Sequence, residues 1–350
     1  MNRYYTRACN FYYGPHSKIL VKKKKTIPLH GLDEISFDQI EIITKKIKKR
    51  ILVKEIKNLP KKLKIKINLD IKKIKIKKKN FSNLNFKKIP NILGVLNLTP
   101  DSFSDGGKFN SKNKGIKHAL DLFKYGADLI DVGGESTRPG SVEVSEDLEW
   151  ARINKIIKLL SKKIPLSLDT RKSNIMKKGI KFGIKLINDT SGLNYDSKTL
   201  SVLNQYKIPF VIQHIQGNPE NMQIRPKYKN ELLEIYDFFE NKIKLLRSKG
   251  IVHNQIILDP GIGFGKNLKH NMSLIRNISI FHSLGFPILV GNSRKRFIKE
   301  ISKKNDSNLR YGGTMASTIY LIMQGVQILR IHDVNEAIQC IKVFKEIINN

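Results

Sequence analysis

Seven polar or charged residues stand at or near the carboxyl ends of predicted buried strands. They comprise two carboxylates, two amides, two imidazoles and one guanidinium: Asn97, Asp169, Asn188, His214, Asp259, Arg330 and His332. Carboxylates and amides exchange hydrogen bonds with a polar heterocycle, and a guanidinium holds an anion. One such residue is often a helix cap or turn former, but seven at the same end of different strands indicate a site. We interpret the set as binding a polar heterocycle and an anionic leaving group.

Two glycine-bearing segments fail as catalytic motifs on their spacing. GIGFGK at 261–266 has Pro260 where a phosphate loop needs glycine, and Asn267 where it needs serine or threonine. GNSRK at 291–295 has Lys295 where a nucleophile elbow needs its second glycine. The eight histidines and two cysteines show no zinc-ligand spacing. Nucleotide hydrolysis, serine hydrolase chemistry and zinc catalysis are therefore not favoured.

These residues need elements to position them, and apolar runs alternate with helical patterns from residue 92 onward. Strands are predicted at 92–98, 129–132, 165–169, 185–188, 209–214, 256–259, 287–290 and 327–331. Helices are predicted near 112–125, 145–162, 172–182, 196–206, 229–249, 268–284, 313–324 and 334–348. Eight such units in about 260 residues predict a (β/α)8 TIM barrel, whose active sites lie at the carboxyl ends of its strands. A doubly wound sheet competes, but it normally has fewer strands and a glycine-rich first turn.

Composition limits the class of protein. The chain has 350 residues, of which 40% are hydrophobic, so wholesale disorder is excluded. It contains no run of about 18 apolar residues, and its start lacks the apolar region of a signal peptide. Only Cys9 and Cys340 are present, which favours a cytoplasmic protein without structural disulfides.

The net charge of +35 is concentrated near the N-terminus. Residues 1–90 hold 26 basic and 6 acidic residues, a net charge of +20. A patch for nucleic acid or anionic lipid is one interpretation, and compositional drift towards lysine is the other. Leu63, Ile65, Ile67, Leu69 and Ile71 alternate with polar residues, which predicts a strand. We expect residues 1–88 to form a small, partly β extension of unknown role, and residues 89–350 to form the barrel.

Several long segments in the barrel region carry a family resemblance. They read LNLTPDSFSDGG at 96–107, DVGGESTRPG at 131–140, SLDT at 167–170, IND at 187–189, DPGIGFGK at 259–266, SRK at 293–295 and RIHDV at 330–334. In this order and spread, they resemble the dihydropteroate synthases, which are barrel enzymes of folate biosynthesis. The resemblance covers residues 91–350, and the extension resembles those on some bacterial members.

The resemblance implies a reaction and a role for each matching residue. The reaction condenses 6-hydroxymethyl-7,8-dihydropterin diphosphate with p-aminobenzoate to 7,8-dihydropteroate, releasing diphosphate, with Mg²⁺ as cofactor. The implied pterin-binding residues are Asp169, Asn188, Asp259, Phe264 and Lys295. The implied diphosphate-binding residues are Thr137, Arg330 and His332, and the implied metal ligand is Asn97. The p-aminobenzoate loops would contain Asp101, Phe103, Arg138, Pro139 and Arg296, the last standing where many members have serine.

The resemblance also implies small-molecule substrates and a homodimer. From the sequence itself we expect no membrane partner and do not favour a nucleic-acid partner. Apolar residues of the late helices could serve the dimer contact or only the barrel: Ile319, Ile322, Ile338, Ile341 and Ile348. Two alternative functions stay open. A pterin-binding methyltransferase shares the pterin contacts, although the TPDSFSDGG and STRPG segments favour the synthase. The basic extension could bind nucleic acid, which a steep salt dependence would support.

Overall fold

A computed structural model describes residues 3–99, 114–138 and 140–349. The N-terminal region is a four-stranded antiparallel sheet with two α-helices. Its elements are β1 (Tyr5–Tyr13), α1 (Gly14–Lys22), β2 (Ile27–Leu29), β3 (Leu32–Ile43), β4 (Lys48–Leu52) and α2 (Lys61–Lys75). The long strand β3 pairs with β1, β2 and β4, and a 3₁₀ helix at Val53–Asn58 leads from β4 to α2. The predicted partly β extension is confirmed.

The prediction of a strand within residues 63–71 is wrong, because α2 covers that segment. Ile67 and Ile74 are fully buried at helical spacing, whereas Ile65 and Leu69 are each 54% exposed. The two-residue alternation arises because Lys64, Lys66, Asn68 and Asp70 separate the apolar residues, and lysine is itself a good helix former. Burying one helical stripe against the sheet decides the conformation.

The remaining chain is a closed barrel of eight parallel strands. The strands are β5 (Asn91–Asn97), β6 (Leu129–Gly133), β7 (Leu166–Asp169), β8 (Leu186–Asp189), β9 (Phe210–Gln213), β10 (Ile256–Asp259), β11 (Leu289–Val290) and β12 (Ile328–Ile331). They pair in the order β10, β9, β8, β7, β6, β5, β12 and β11. A parallel bridge between Leu258 and Ile288 joins β10 to β11 and closes the ring. This closure confirms the predicted barrel and excludes the open doubly wound sheet.

An outer layer of helices surrounds the strands. These helices are α3 (Lys114–Lys124), α4 (Glu146–Leu160), α5 (Ser173–Lys181), α6 (Thr199–Tyr206), α7 (Glu231–Ser248), α8 (Leu268–Arg276), α9 (Arg296–Ser302), α10 (Tyr311–Met323) and α11 (Val334–Asn349). Side-chain caps start some of them, as where the Ser145 hydroxyl accepts from the Leu148 amide before α4. The predicted helix over 268–284 divides into α8 and a 3₁₀ helix at Ile278–Leu284. Within the described ranges, no helix is both long and apolar enough to span a bilayer.

The barrel interior is filled below its mouth by apolar side chains. Seven strands contribute to this layer through Leu93, Leu129, Leu186, Val211, Ile257, Leu289 and Ile328. Leu84 and Phe86, which precede β5, join the same cluster. A packed interior leaves the carboxyl ends of the strands as the open face, which is where barrel enzymes place their sites.

The N-terminal sheet packs on the outer helices of the barrel. The Tyr5 hydroxyl donates to Asp237 Oδ1 at 3.0 Å, and its ring meets Tyr236 of α7 edge-on at 5.1 Å. The Ser279 hydroxyl donates to the Ala8 carbonyl at 2.9 Å. The two regions therefore share an interface that does not involve the open face of the barrel.

Candidate active site

A cavity of about 470 Å³ opens at the carboxyl face of the barrel. The residues predicted for the site that line it are Asn97, Thr137, Arg138, Phe264, Lys295, Arg296, Arg330 and His332. They come from the ends of five strands and from the loops that follow. Asp169, Asn188 and Asp259 lie at strand ends and are buried. Asp101, Phe103 and Pro139 lie outside the described residues.

Arg330 joins two buried carboxylates at the base of this cavity. Its Nε donates to Asp131 Oδ2 at 2.6 Å, and its Nη2 donates to Asp169 Oδ2 at 2.8 Å. Asn188 Nδ2 donates to the same Asp131 oxygen at 2.9 Å. The resulting network links β6, β7, β8 and β12, and Arg330 is its member that lines the cavity.

Asp131 is a member of this network that sequence reasoning did not assign to the site. It is fully buried in β6, whose other residues are all apolar or glycine. The sequence did contain a signal for Asp131, namely one charged residue within a short apolar strand. A buried carboxylate is costly unless it has partners, so such a residue indicates a polar network.

Some buried polar atoms of the network have no partner in the described part of the chain. They include Asp131 Oδ1 and Asn188 Oδ1. An unsatisfied buried acceptor costs about 1–3 kcal/mol, so such atoms mark places where a ligand completes the hydrogen bonding. Burial raises the pKa of Asp169, with Arg330 opposing and Asp131 adding to the shift. Donors from a heterocycle would favour the ionised carboxylate.

Lys295 and Phe264 form a second wall of the cavity. Lys295 Nζ lies 4.3 Å from the centre of the Phe264 ring, and burial lowers the pKa of Lys295 to about 8. A β-carbon on Gly263, which has φ of +85°, would lie 3.2 Å from Lys295 Cδ. The glycine-rich turn thus permits close packing around the lysine, which is a different use from a phosphate loop.

Asp259 lies at the end of β10, directly before that turn. Its Oδ1 accepts from the Gly261 amide at 2.7 Å, while burial raises the pKa of Asp259 to about 6. His214 is buried nearby, and its Nδ1 lies 3.1 Å from Lys266 Nζ. Among the described lining residues of the cavity, His214 does not appear, so it is the one histidine of the predicted set that the structure places away from the cavity wall.

His332 lies at the end of the last strand, beside Ser293. Its Nδ1 lies 3.0 Å from the Ser293 hydroxyl, which also accepts from the His332 amide at 3.2 Å. Burial, together with the cations Arg294 and Arg330, holds the pKa of His332 well below its usual range. The imidazole is therefore neutral near pH 7 and can offer a hydrogen bond, but not a charge, to an anion.

Arg296 lies at the rim of the cavity, on the first turn of α9. Its Nε donates to Glu300 Oε1 at 2.7 Å, and its side chain is 63% exposed. This pair on one helix is the alternative to a direct substrate contact, and the exposed guanidinium remains at the cavity edge.

Comparison with known proteins shows which family the chain resembles. The model of the pterin binding enzyme family matches residues 93–332. A dihydropteroate synthase from Synechocystis is 42% identical over 254 residues, 72% of this chain and 88% of the relative. The Yersinia pestis dihydropteroate synthase, solved with a sulfonamide drug complex, superimposes with a TM-score of 0.71 at 38% identity, covering 74% of this chain and 94% of that one. A Clostridium difficile dihydropteroate synthase, solved in the presence of pteroic acid, has a TM-score of 0.68 at 39% identity, covering 75% and 98%.

Proposed function

This chain belongs to the pterin binding enzyme family and acts as a dihydropteroate synthase in folate biosynthesis, and from that premise we propose which residues bind each substrate. The reaction condenses 6-hydroxymethyl-7,8-dihydropterin diphosphate with p-aminobenzoate, giving 7,8-dihydropteroate and diphosphate. The observation that carries the assignment is the buried Asp131–Arg330–Asp169 network with Asn188, at the base of a cavity.

The pterin ring is assigned to the deep end of the cavity. Asp169 and Asp259 accept from its amino and ring N–H groups, while Asn188 both donates and accepts. Lys295 donates to the pterin carbonyl and ring nitrogen. Phe264 packs against the pterin ring beside Lys295, whose Nζ lies 4.3 Å from the centre of the Phe264 ring. The buried acceptors Asp131 Oδ1 and Asn188 Oδ1, which have no partner among the described residues, support the assignment.

The diphosphate is assigned to the cavity mouth, near Thr137, Arg330 and His332. The threonine hydroxyl and the neutral imidazole supply hydrogen bonds, and the guanidinium supplies positive charge. Arg330 would then contact both the leaving group and the carboxylates Asp131 and Asp169 at the pterin end of the cavity. This would couple the two ends of one substrate.

The residues present fit a magnesium ion that is held mainly by the substrate. In the described ranges, no group of three His, Cys, Asp or Glu side chains could hold a metal. Asn97, at the end of β5, lines the cavity. Because Mg²⁺ keeps much of its water shell and relies on substrate phosphates, one amide oxygen suffices. When bound, the ion would neutralise charge developing on the leaving diphosphate.

The p-aminobenzoate pocket is assigned to the cavity rim. Arg138 and Arg296 line it and can approach the carboxylate, and the family resemblance adds Asp101, Phe103 and Pro139 from segments outside the described residues. The second substrate would therefore lie above the pterin and next to the methylene carbon that reacts.

The proposed chemistry is a dissociative substitution. The bond between the methylene carbon and the diphosphate oxygen breaks, and its electron pair leaves with the diphosphate. The amine of p-aminobenzoate then forms the new C–N bond to the pterin cation, and its surplus proton passes to solvent. Ionisation needs no general base, and the described residues at the mouth supply anion binding instead of a nucleophile.

Product formation by the full chain tests this function. We expect 7,8-dihydropteroate and diphosphate to appear in equal amounts when both substrates and Mg²⁺ are supplied. Excess chelator is expected to abolish turnover, and full activity in chelator would remove the metal from the mechanism. Asn97→Ala is expected to weaken use of the diphosphate substrate while sparing the affinity for a pterin-only ligand.

Three further assignments belong to the same proposal. We assign residues 1–88 to a structural extension and 89–350 to the catalytic unit. A homodimer is proposed through α11, where the apolar residues Val343 and Ile347 are exposed. Ile322 and Ile341 are buried in the barrel and are not available for such a contact. The cytoplasm is the proposed location, in keeping with two free cysteines. Sedimentation analysis of the full chain tests the dimer.

A further inference from the structure

A buried ion cluster lies beneath the segment that joins β6 to α4. Lys172 is 3% exposed, and its Nζ donates to Glu135 Oε1 at 3.0 Å and to Glu149 Oε2 at 2.8 Å. The same ammonium donates to the Val144 carbonyl at 2.8 Å. All three donors of the lysine are therefore engaged, and none is left for a substrate.

The contacts of Lys172 lie at both ends of one loop. Glu135 stands two residues after the end of β6, while Val144 and Glu149 stand on the far side of the loop, the latter in α4. The Val144 amide donates to Glu135 Oε1 at 3.1 Å, and the Ser141 hydroxyl donates to the Ser136 carbonyl at 2.7 Å. The lysine and these bonds close the base of the loop.

Arg171 supports the same base from the neighbouring position. Its Nε donates to Glu135 Oε2 at 2.9 Å, and its guanidinium lies 4.0 Å from the centre of the Tyr195 ring. The hydrogen bonds from Arg171 and Lys172 more than offset burial, so the pKa of Glu135 lies below its usual value. Glu135 is thus an ionised anchor with partners on both oxygens.

Thr137 and Arg138 project from this closed base into the cavity, whereas Lys172 is not among the described lining residues. A buried cluster of this kind gives little net stability compared with apolar residues, because desolvation of the charges opposes their attraction. Its geometric effect is larger, since a displacement of about 1 Å in a substrate-positioning group can cost on the order of 100-fold in rate.

We propose that Lys172 is a positioning residue that fixes the β6–α4 loop, and thereby sets the affinity for p-aminobenzoate. This inference rests on the proposed function of Thr137 and Arg138. Lys172 acts through the loop and touches no reacting atom. The proposed pterin-binding residues lie deeper, at the ends of β7, β8 and β10, so we expect the affinity for a pterin to depend little on the contacts of Lys172, which we call the clamp.

Three variants of the full chain separate positioning from mere charge balance. Lys172→Met removes the clamp and leaves Glu149 buried without its partner. Lys172→Met with Glu149→Gln removes the clamp but also removes that uncompensated charge. Lys78→Met is the matched control, because Lys78 is also a buried lysine that donates to a backbone carbonyl, that of Gly285, away from the loop.

We expect Lys172→Met to raise the KM for p-aminobenzoate by about tenfold or more, with the affinity for a pterin-only ligand within about twofold. The double variant is expected to recover its melting temperature while keeping the raised KM. Lys78→Met is expected to lower the melting temperature without changing the KM. An unchanged KM in Lys172→Met, or a KM restored together with stability in the double variant, would overturn the proposal. Product formation by the unaltered chain in the same assay reports on the proposed function separately.

Discussion

The N-terminal region and the barrel treat a buried carboxylate in opposite ways. Asp70 of α2 is 1% exposed, and it accepts from the Thr6 hydroxyl at 2.7 Å and from Lys66 Nζ at 2.6 Å. Asp131 of the barrel is fully buried and shares one oxygen between Arg330 and Asn188, while its other oxygen has no partner among the described residues. The first carboxylate is satisfied by the fold, whereas the second keeps one oxygen without a partner in the described ranges.

This contrast separates residues kept for packing from residues kept for binding. A fold under selection for stability satisfies its buried polar groups, and exceptions concentrate at functional sites. The N-terminal region is therefore expected to contribute stability, and the barrel mouth is expected to contribute binding. Substitutions in each region test this division.

The largest effect is expected from Arg330→Met. Removing one partner of a buried charge network costs about 3–5 kcal/mol of unfolding free energy, and loss of anion stabilisation lowers kcat/KM by roughly 100-fold or more. Urea unfolding and steady-state kinetics measure the two effects. Lys66→Met, which removes the partner of Asp70, is expected to reduce stability alone. Equal losses of activity in both variants would contradict the assignment of stability to the N-terminal region and of binding to the barrel mouth.

A large effect confined to stability is expected from Ile74→Ala. Ile74 is fully buried on the inner face of α2, so its truncation costs about 3 kcal/mol of unfolding free energy. Ile65→Ala on the exposed face of the same helix is expected to cost less than about 1 kcal/mol. Activity per folded molecule is expected to stay unchanged in both. Equal costs in urea unfolding would contradict the helical assignment.

An effect mainly on binding is expected from Asp169→Asn, with a smaller loss of stability because Asp169 Oδ2 accepts from Arg330 Nη2. The loss of a charged hydrogen-bond partner costs about 1.5–3 kcal/mol, which corresponds to roughly 10- to 150-fold in affinity. Calorimetry with a pterin-only inhibitor measures it. Unchanged affinity in a folded variant would place the pterin elsewhere.

A pH-dependent effect is expected where the two regions meet. The ring of His282 lies 4.6 Å from that of His30, and burial lowers the pKa of His282 to about 4. In the unfolded chain the His282 imidazole takes up a proton near pH 6.5. Its contribution to the free energy of unfolding is therefore full above that pH and is lost as the pH falls towards 4. From pH 7 to pH 5 the loss is about 2 kcal/mol. His282→Gln is expected to flatten this dependence in urea unfolding, and an unaltered slope would contradict it.

The smallest effect is expected from Arg296→Ser at the cavity rim. Loss of one partly exposed charged contact, about 1 kcal/mol, raises the KM for p-aminobenzoate roughly fivefold. Sulfonamides lack a full carboxylate, so their inhibition is expected to weaken less. Glu300→Gln, which frees Arg296 from its helix partner, is the control and is expected not to raise this KM. An unchanged KM in Arg296→Ser would assign the residue to the surface.

The barrel was predictable from the sequence because its signals are local. Each predicted strand overlaps an observed one, since a buried parallel strand requires a short apolar run between turn-forming residues. The polar residues at strand ends were predictable once the barrel was, because closure of a parallel barrel brings all carboxyl ends to one face. The prediction of a strand within α2 was wrong because polar residues at alternate positions, chiefly lysine, mimic the pattern of a strand when charged residues are so abundant.

The pairing of side chains was decided only by the tertiary structure. Arg330 meets Asp131 across 199 positions of sequence, and Lys172 meets Glu135 across 37. No local period records such a contact, because it depends on which strands become neighbours and on how each charge finds a partner after losing water. The amino-acid sequence thus determined the barrel, its open face and the residue types there. Burial within the closed ring decided which of those residues hold one another and which stay available to a substrate.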